Sequence, residues 1–332
     1  MEKRERLEKT IAGEATDRAP VALSRHFPGD DLRAMDFARA VVDFQRAFDW
    51  DFVVIQPAST YLVSDYGLQE RWDGSLDGTR TVTAYPVKRS LDWTELRALD
   101  ANKRGALLRQ NEATRLICDA MTDTPIILSV YSPLDQAEML AGRETLIRHL
   151  RTNPDRLRSG LNILTDNTLY FLEGLRKLPL AGICLVTRFA SYALLSEEEY
   201  RVFGLPYDRA ILNSVPTGRW WLNILRLEGE LPMFRLVSNL PTQVLQWCDR
   251  DTEPDLAIGK SQCVGAVCGG LSSQHDLYLS EPSRIATTAR ESLQRVNNRR
   301  LILSTGGPLL LATPQSHIRA VRAAVETTGG AA

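Results

Sequence analysis

The chain has 332 residues, 44% hydrophobic and 24% charged, a balance that supplies a sizeable globular core; the length suits one α/β barrel better than one average domain. Its 40 Lys and Arg against 41 Asp and Glu leave a net charge of −1, so no global field favours nucleic acid or a membrane surface as partner. Cys118, Cys184, Cys248, Cys263 and Cys268 form an odd, unpatterned set, which points to reduced thiols and a cytoplasmic location. The opening MEKRERLEKTIAGE is a charged helical pattern without a secretory apolar stretch, and no run of about eighteen apolar residues offers a membrane span.

Along the chain, short apolar strands alternate with amphipathic helices. The predicted strands are Pro20–Leu23, Phe52–Ile55, Ile126–Val130, Gly182–Val186, Trp221–Leu227, Gln243–Trp247, Val264–Cys268 and Leu301–Leu303. Helical patterns fall at Ala34–Phe48, from Thr145–His149 onward, and at Glu197–Tyr207, Pro254–Lys260, Pro282–Val296 and Pro314–Glu326. Eight strands in such alternation predict a single (β/α)8 TIM-type barrel spanning residues 1–332, with an N-terminal helix. A doubly wound sheet is the alternative, but no glycine fingerprint follows the first strand. The segment Arg71–Arg89 reads as a small β-hairpin insertion capping one end.

In a barrel the chemistry lies at the C-terminal ends of the strands. Those ends hold Arg25 and His26, Gln56, Asp135, Arg188 with Ser191 and Tyr192, Arg226 with Glu228, and Asp249 with Arg250; diglycines 269–270 and 306–307 follow the last two strands. Convergent guanidinium groups bind carboxylates or phosphates, so Arg25, Arg188, Arg226 and Arg250, with Gln56 and Tyr192, are the candidate substrate-binding residues. The competing reading pairs these arginines with Glu228, Asp249 and Asp251 in a structural network. Glu228, Asp249 and His26 are the candidate acid–base groups, His26 being equally readable as a structural histidine. Cys248, Cys263 and Cys268 match no zinc spacing, and neither metal nor another cofactor is expected.

The segments ERLEKTIAGEATDRAPV, YSPLDQAEMLAG, QVLQWCDRDTEPDLAIGK and LILSTGGPLLLATPQSHIRAVRAAV, in this order, resemble the uroporphyrinogen decarboxylase superfamily over nearly the whole chain. The resemblance implies one TIM-type barrel, often dimeric in the decarboxylases, and either decarboxylation or corrinoid- or zinc-dependent methyl transfer. The decarboxylase loop arginines map to Arg25 and Gly29, the essential aspartate to Ala58, the tyrosine near Met139 and the late histidine to Gly307, with a serine retained near Ser191. The zinc-binding histidine pair of the methyltransferase branch maps to Arg226 and Glu228, and its closing-strand cysteine to Gly307; Cys248 replaces a histidine before Asp249-Arg250.

These departures point to a metal-independent enzyme acting on a small anionic, carboxylate-bearing molecule, foremost as a decarboxylase or related lyase outside heme synthesis. A zinc-independent methyltransferase with a corrinoid protein as partner and a pterin-like acceptor is the second reading. A non-catalytic ligand-binding barrel is the third.

Overall fold

The computed structural model describes residues 1–100, 105–216 and 218–326. The strands in chain order are β1 Val53–Ile55, β2 Gln69–Arg71, β3 Thr81–Ala84, β4 Ile126–Tyr131, β5 Gly182–Thr187, β6 Ile224–Leu227, β7 Val244–Gln246, β8 Ala266–Leu271 and β9 Leu301–Thr305. Seven of them form one all-parallel sheet in the order β1-β4-β5-β6-β7-β8-β9. Every residue of β4, β5, β6, β8 and β9 is buried, as expected where crossover helices cover one face and side chains fill the other.

The sheet curls. Arg226 on β6 donates from Nη1 to Gln56 Oε1, just past β1, at 2.9 Å, although three strand-to-strand steps separate the two strands. A flat sheet would hold them about 14 Å apart. The predicted first strand lies at the sheet's open edges as a single bridge, Val21 with Leu303, and not as a ladder. Leu303 N–H donates to Pro20 O at 2.9 Å, Ala22 N–H to Leu303 O at 3.2 Å, and Asp51 N–H to Val21 O at 2.9 Å. Two donors a ladder would use are missing here: Pro20 has no N–H, and the Val21 N–H goes to the Asp51 carboxylate at 2.8 Å.

Asp51 is fully buried and holds Arg6 and Arg18, each at 2.7 Å. Arg6 also pairs with Asp17 at 2.6 Å. The Asp17-Arg18 motif is therefore a latch that ties helix Lys3–Ala12 to the 20–23 segment, on the side of the sheet away from the strand C-termini.

Several elements differ from the sequence-based expectation. The strand predicted from Trp221 begins at Ile224, because Asn223 turns its N–H to the Gln243 side chain and its Nδ2 to Trp220 O. Strand β8 starts later than predicted and runs through Gly269 and Gly270, so that diglycine is not at a strand end. The helix predicted at Glu197–Tyr207 breaks at Gly204 into Glu197–Phe203 and Leu205–Ser214, the first opened by a capping box from Ser196 and Glu199. Two further helices, Ala106–Ala120 and Pro154–Leu175, complete the outer layer. The hairpin prediction corresponds to antiparallel β2 and β3. Among the described residues no helix is long and apolar enough to cross a membrane.

Candidate active site at the strand ends

The side chains facing the sheet's concave side near its C-terminal edge form a buried polar layer around Arg226. Its Nε donates to Gln246 Oε1 and its Nη1 to Gln56 Oε1, both at 2.9 Å. Gln56 Oε1 also accepts from Ser129 Oγ at 2.9 Å, Gln56 Nε2 donates to Tyr131 OH at 2.9 Å, and Gln246 Nε2 donates to Thr305 O at 2.7 Å. Arg226 is 0% exposed, and among the described residues no carboxylate pairs with it. A buried cation held by neutral acceptors draws negative charge toward it, and Glu228, two residues along, supplies part of that charge.

Above this layer lies a cavity of about 660 Å³, between the β2–β3 hairpin and the ends of β5 and β6. Thr60, Arg80, Tyr85, Glu138, Arg188 and Glu228 are among its walls. Arg80 is tied to Asp31 and to Glu70 (3.1 Å), which anchors the hairpin over the sheet edge. Arg188 lines the cavity with its side chain 29% exposed and its carboxylate neighbours loose, Glu138 at 3.4 Å, Asp135 at 3.8 Å and Glu228 at 3.9 Å, whereas the more exposed Arg143 on the same wall is held by Glu138 at 2.6 Å. A wider hollow of about 840 Å³ lies around Tyr66, Lys88, Arg89 and Arg97, but no end of the parallel sheet reaches it. The smaller cavity is the one lined by residues just past strands of the parallel sheet, Arg188 after β5 and Glu228 after β6.

The structure brings Arg188 and Glu228 together at this cavity, with Arg226 and Gln56 beneath. The other predicted residues stand elsewhere. His26 is buried under the hairpin turn, where Gly78, at φ +79°, comes so near that a Cβ there would lie 2.8 Å from the His26 Cβ. Burial lowers the His26 pKa to about 4, so it is neutral at neutral pH. Arg25 lies 5.4 Å above the Phe27 ring, and its Nη2 reaches Leu311 O at 3.5 Å. Asp249 accepts the Gly270 N–H at 2.8 Å, with burial raising its pKa to about 6. Arg250 pairs with Asp276 at 3.4 Å. Tyr192 is 53% exposed and donates to Glu197 at 2.8 Å, outside the cavity lining. Cys248 is pushed up to about 12 by burial and is a neutral thiol, not a nucleophilic thiolate.

Sequence reading gave no role to Gln246, Ser129, Tyr131 or Glu138. The first three sit inside strands, where a polar residue in an otherwise apolar run was the available signal; Glu138 lies a turn into helix Pro133–Ala141. The zinc set of the methyltransferase branch does not fit these residues. Arg226 has only donors and spends two of them on glutamines, Gly307 has no side chain, and Glu228 is the one metal-ligating side chain at the three mapped positions. Among the described residues no cluster of three His, Cys, Asp or Glu side chains is placed to hold a metal ion.

A curled parallel sheet with helices outside and polar side chains gathered at its C-terminal edge is the architecture of the TIM-type α/β proteins. Residues 2–328 match the model of the family described as Uroporphyrinogen decarboxylase (URO-D), and the chain belongs to that family. A comparison with curated proteins returned no significant match. Among solved structures, a methyltransferase from Methanosarcina mazei superimposes with a TM-score of 0.86 at 20% identity, covering 99% of each chain. A B12-independent methionine synthase from Shewanella sp. W3-18-1, in complex with selenomethionine, gives 0.61 at 12% identity over 93% of this chain and 96% of that one. At such identities the likeness is one of fold.

Proposed function

We propose that the strand-end cavity takes a small carboxylate-bearing molecule and that the chain acts on it as a metal-independent carbon–carbon lyase. The observation that carries this reading is the pairing of two guanidinium groups: Arg188, loosely held at the cavity wall, and Arg226, buried behind it without a carboxylate. Arg188 would bind the ligand carboxylate, and Arg226 would bias the cavity toward negative charge. In the reaction the bond from the substrate carbon to its carboxyl group breaks and carbon dioxide leaves. The electron pair stays on that carbon, spread over an adjoining acceptor group in the substrate. In this reading Glu228, which faces the same cavity, relays a proton from solvent to that carbon.

In this reading residues 1–332 act as one domain, and the 20–23 segment, bonded to β9 on one side and to Asp51 before β1 on the other, serves as the eighth stave of a closed barrel. Similarity to a solved methyltransferase favours a second reading, in which the same cavity accepts or donates a methyl group with a corrinoid protein as partner. A thermal-shift screen of succinate, benzoate and citrate against the matching amides tests anion binding: stabilisation by the acids alone is expected, and equal response to the amides would refute it. Release of labelled carbon dioxide from carboxyl-13C substrates supports the lyase. Demethylation of methylcobalamin, followed by its visible spectrum, would replace it with methyl transfer.

A further inference from the structure

The surroundings of Arg188 hold more negative charge than its binding role requires. Asp135, in the first turn of helix Pro133–Ala141, is fully buried, and both its carboxylate oxygens accept the Arg188 backbone N–H, at 3.2 and 3.1 Å. The same carboxylate lies 3.8 Å from Arg188 Nε. Glu138, on the same helix, is shared between Arg188 at 3.4 Å and Arg143 at 2.6 Å, and Glu228 lies 3.9 Å from Arg188. Asp135, Glu138 and Glu228 thus surround the Arg188 guanidinium, and each of them when ionised competes with an incoming anion for it. Behind Asp135, helix Leu205–Ser214 contributes the buried Asp208, which accepts from Tyr200 OH on helix Glu197–Phe203. Helix Pro154–Leu175 meets the Asp135 helix through an uncharged residue, Thr168, which accepts from Gln136 at 3.0 Å.

Resting on the proposed anion site, we infer that Asp135 is a positioning residue that couples ligand binding at Arg188 to proton uptake: the carboxylate that sets the Arg188 backbone must be neutral for an incoming anion to bind at full strength. An added negative charge beside a buried carboxylate favours its protonated form, and by linkage the protonated form favours the anion. Burial already holds the Asp135 carboxyl well above the ordinary carboxylate range and the Asp208 carboxyl at about 6. With Asp135 protonated, one of the three carboxylates around Arg188 loses its charge, and the guanidinium is freer to turn its donors to the ligand.

The test is isothermal titration of the full chain with succinate and with ethane-1,2-disulfonate, the latter ionised throughout, at roughly pH 5 to pH 9 in buffers of different ionisation enthalpy. Net proton uptake is expected on binding, with affinity falling up to about tenfold per pH unit across the window in which Asp135 titrates. Asp135→Asn should flatten that pH dependence for both probes while retaining binding. Affinity independent of pH with no proton uptake would overturn the inference and leave the anion site standing. Uptake that persists unchanged in Asp135→Asn would overturn the assignment to Asp135. Failure of both probes to bind at any pH would remove the anion site, and the inference with it. The proton count is made on the unaltered chain, so it decides the coupling even if the variant does not fold.

Discussion

Replacing Arg226 by methionine separates what the polar layer does for stability from what it does for binding. Arg226 is fully buried, with charge-assisted hydrogen bonds to Gln246 and Gln56 and no carboxylate partner among the described residues. Each such bond is worth about 1.5–3 kcal/mol, so the two together offset a desolvation cost of several kcal/mol for the guanidinium. Methionine fills most of the volume and carries no charge. Gln56 Oε1 keeps its bond from Ser129, while Gln246 Oε1 loses its donor at a cost of about 1–3 kcal/mol. The terms nearly cancel, and Arg226→Met should change stability by no more than about 2 kcal/mol, a Tm shift of a few degrees by calorimetry. Binding should respond differently. Val186 on β5 is in register with Arg226 on β6, so Arg188 lies two residues along and one strand over, about 8 Å away at the backbone. A unit charge at that distance, in an effective dielectric of about 20, contributes about 2 kcal/mol, or roughly thirtyfold in carboxylate affinity. A strongly destabilised variant, or one that binds succinate as tightly as the unaltered chain, would refute this division of roles.

Three further outcomes follow from the structure. Asp208 has its pKa raised to about 6 by burial, so the folded state prefers its protonated form; its stabilising contribution is complete below the unfolded carboxyl value and is lost as pH rises through about 6. Asp208→Asn should therefore raise Tm at pH 8, with the gap closing toward pH 4; a gap that widens on acidification would contradict the sign. Ser196→Ala removes the capping-box acceptor of helix Glu197–Phe203 and should cost about 1 kcal/mol in urea unfolding, whereas no change would mean the helix end is held by other contacts. At the closing diglycine the two positions should part. A Cβ on Gly306 would stand 2.3 Å from the Cys248 Cα, so Gly306→Ala should destabilise by about 1–3 kcal/mol; Gly307 has open space, and Gly307→Ala should leave Tm within a degree or two.

The parallel strands were legible because nearly all of them bury both faces, which leaves a compact apolar, β-branched run between polar or glycine boundaries; Ile126–Val130 and Gly182–Val186 differ from the observed strands by one residue each. Helices Ala106–Ala120 and Pro154–Leu175 were less legible, since their apolar positions are diluted by polar ones on the outer face. Arg226 and Arg188 stood out as cations beside apolar runs. Their partners did not: Gln56 and Gln246 meet Arg226 only because the sheet curls, and Glu138 meets Arg188 only because its helix packs over the end of β5. Such contacts join residues 20 to 170 positions apart, and a one-dimensional pattern does not carry that geometry.

The central claim is that Arg188 anchors a carboxylate at the strand-end cavity. Isothermal titration of succinate into the unaltered chain and into Arg188→Gln tests it most directly, with circular dichroism confirming that both are folded. Loss of a charge-assisted pair should weaken binding at least about tenfold in the variant. Equal affinity for the two proteins would contradict the account.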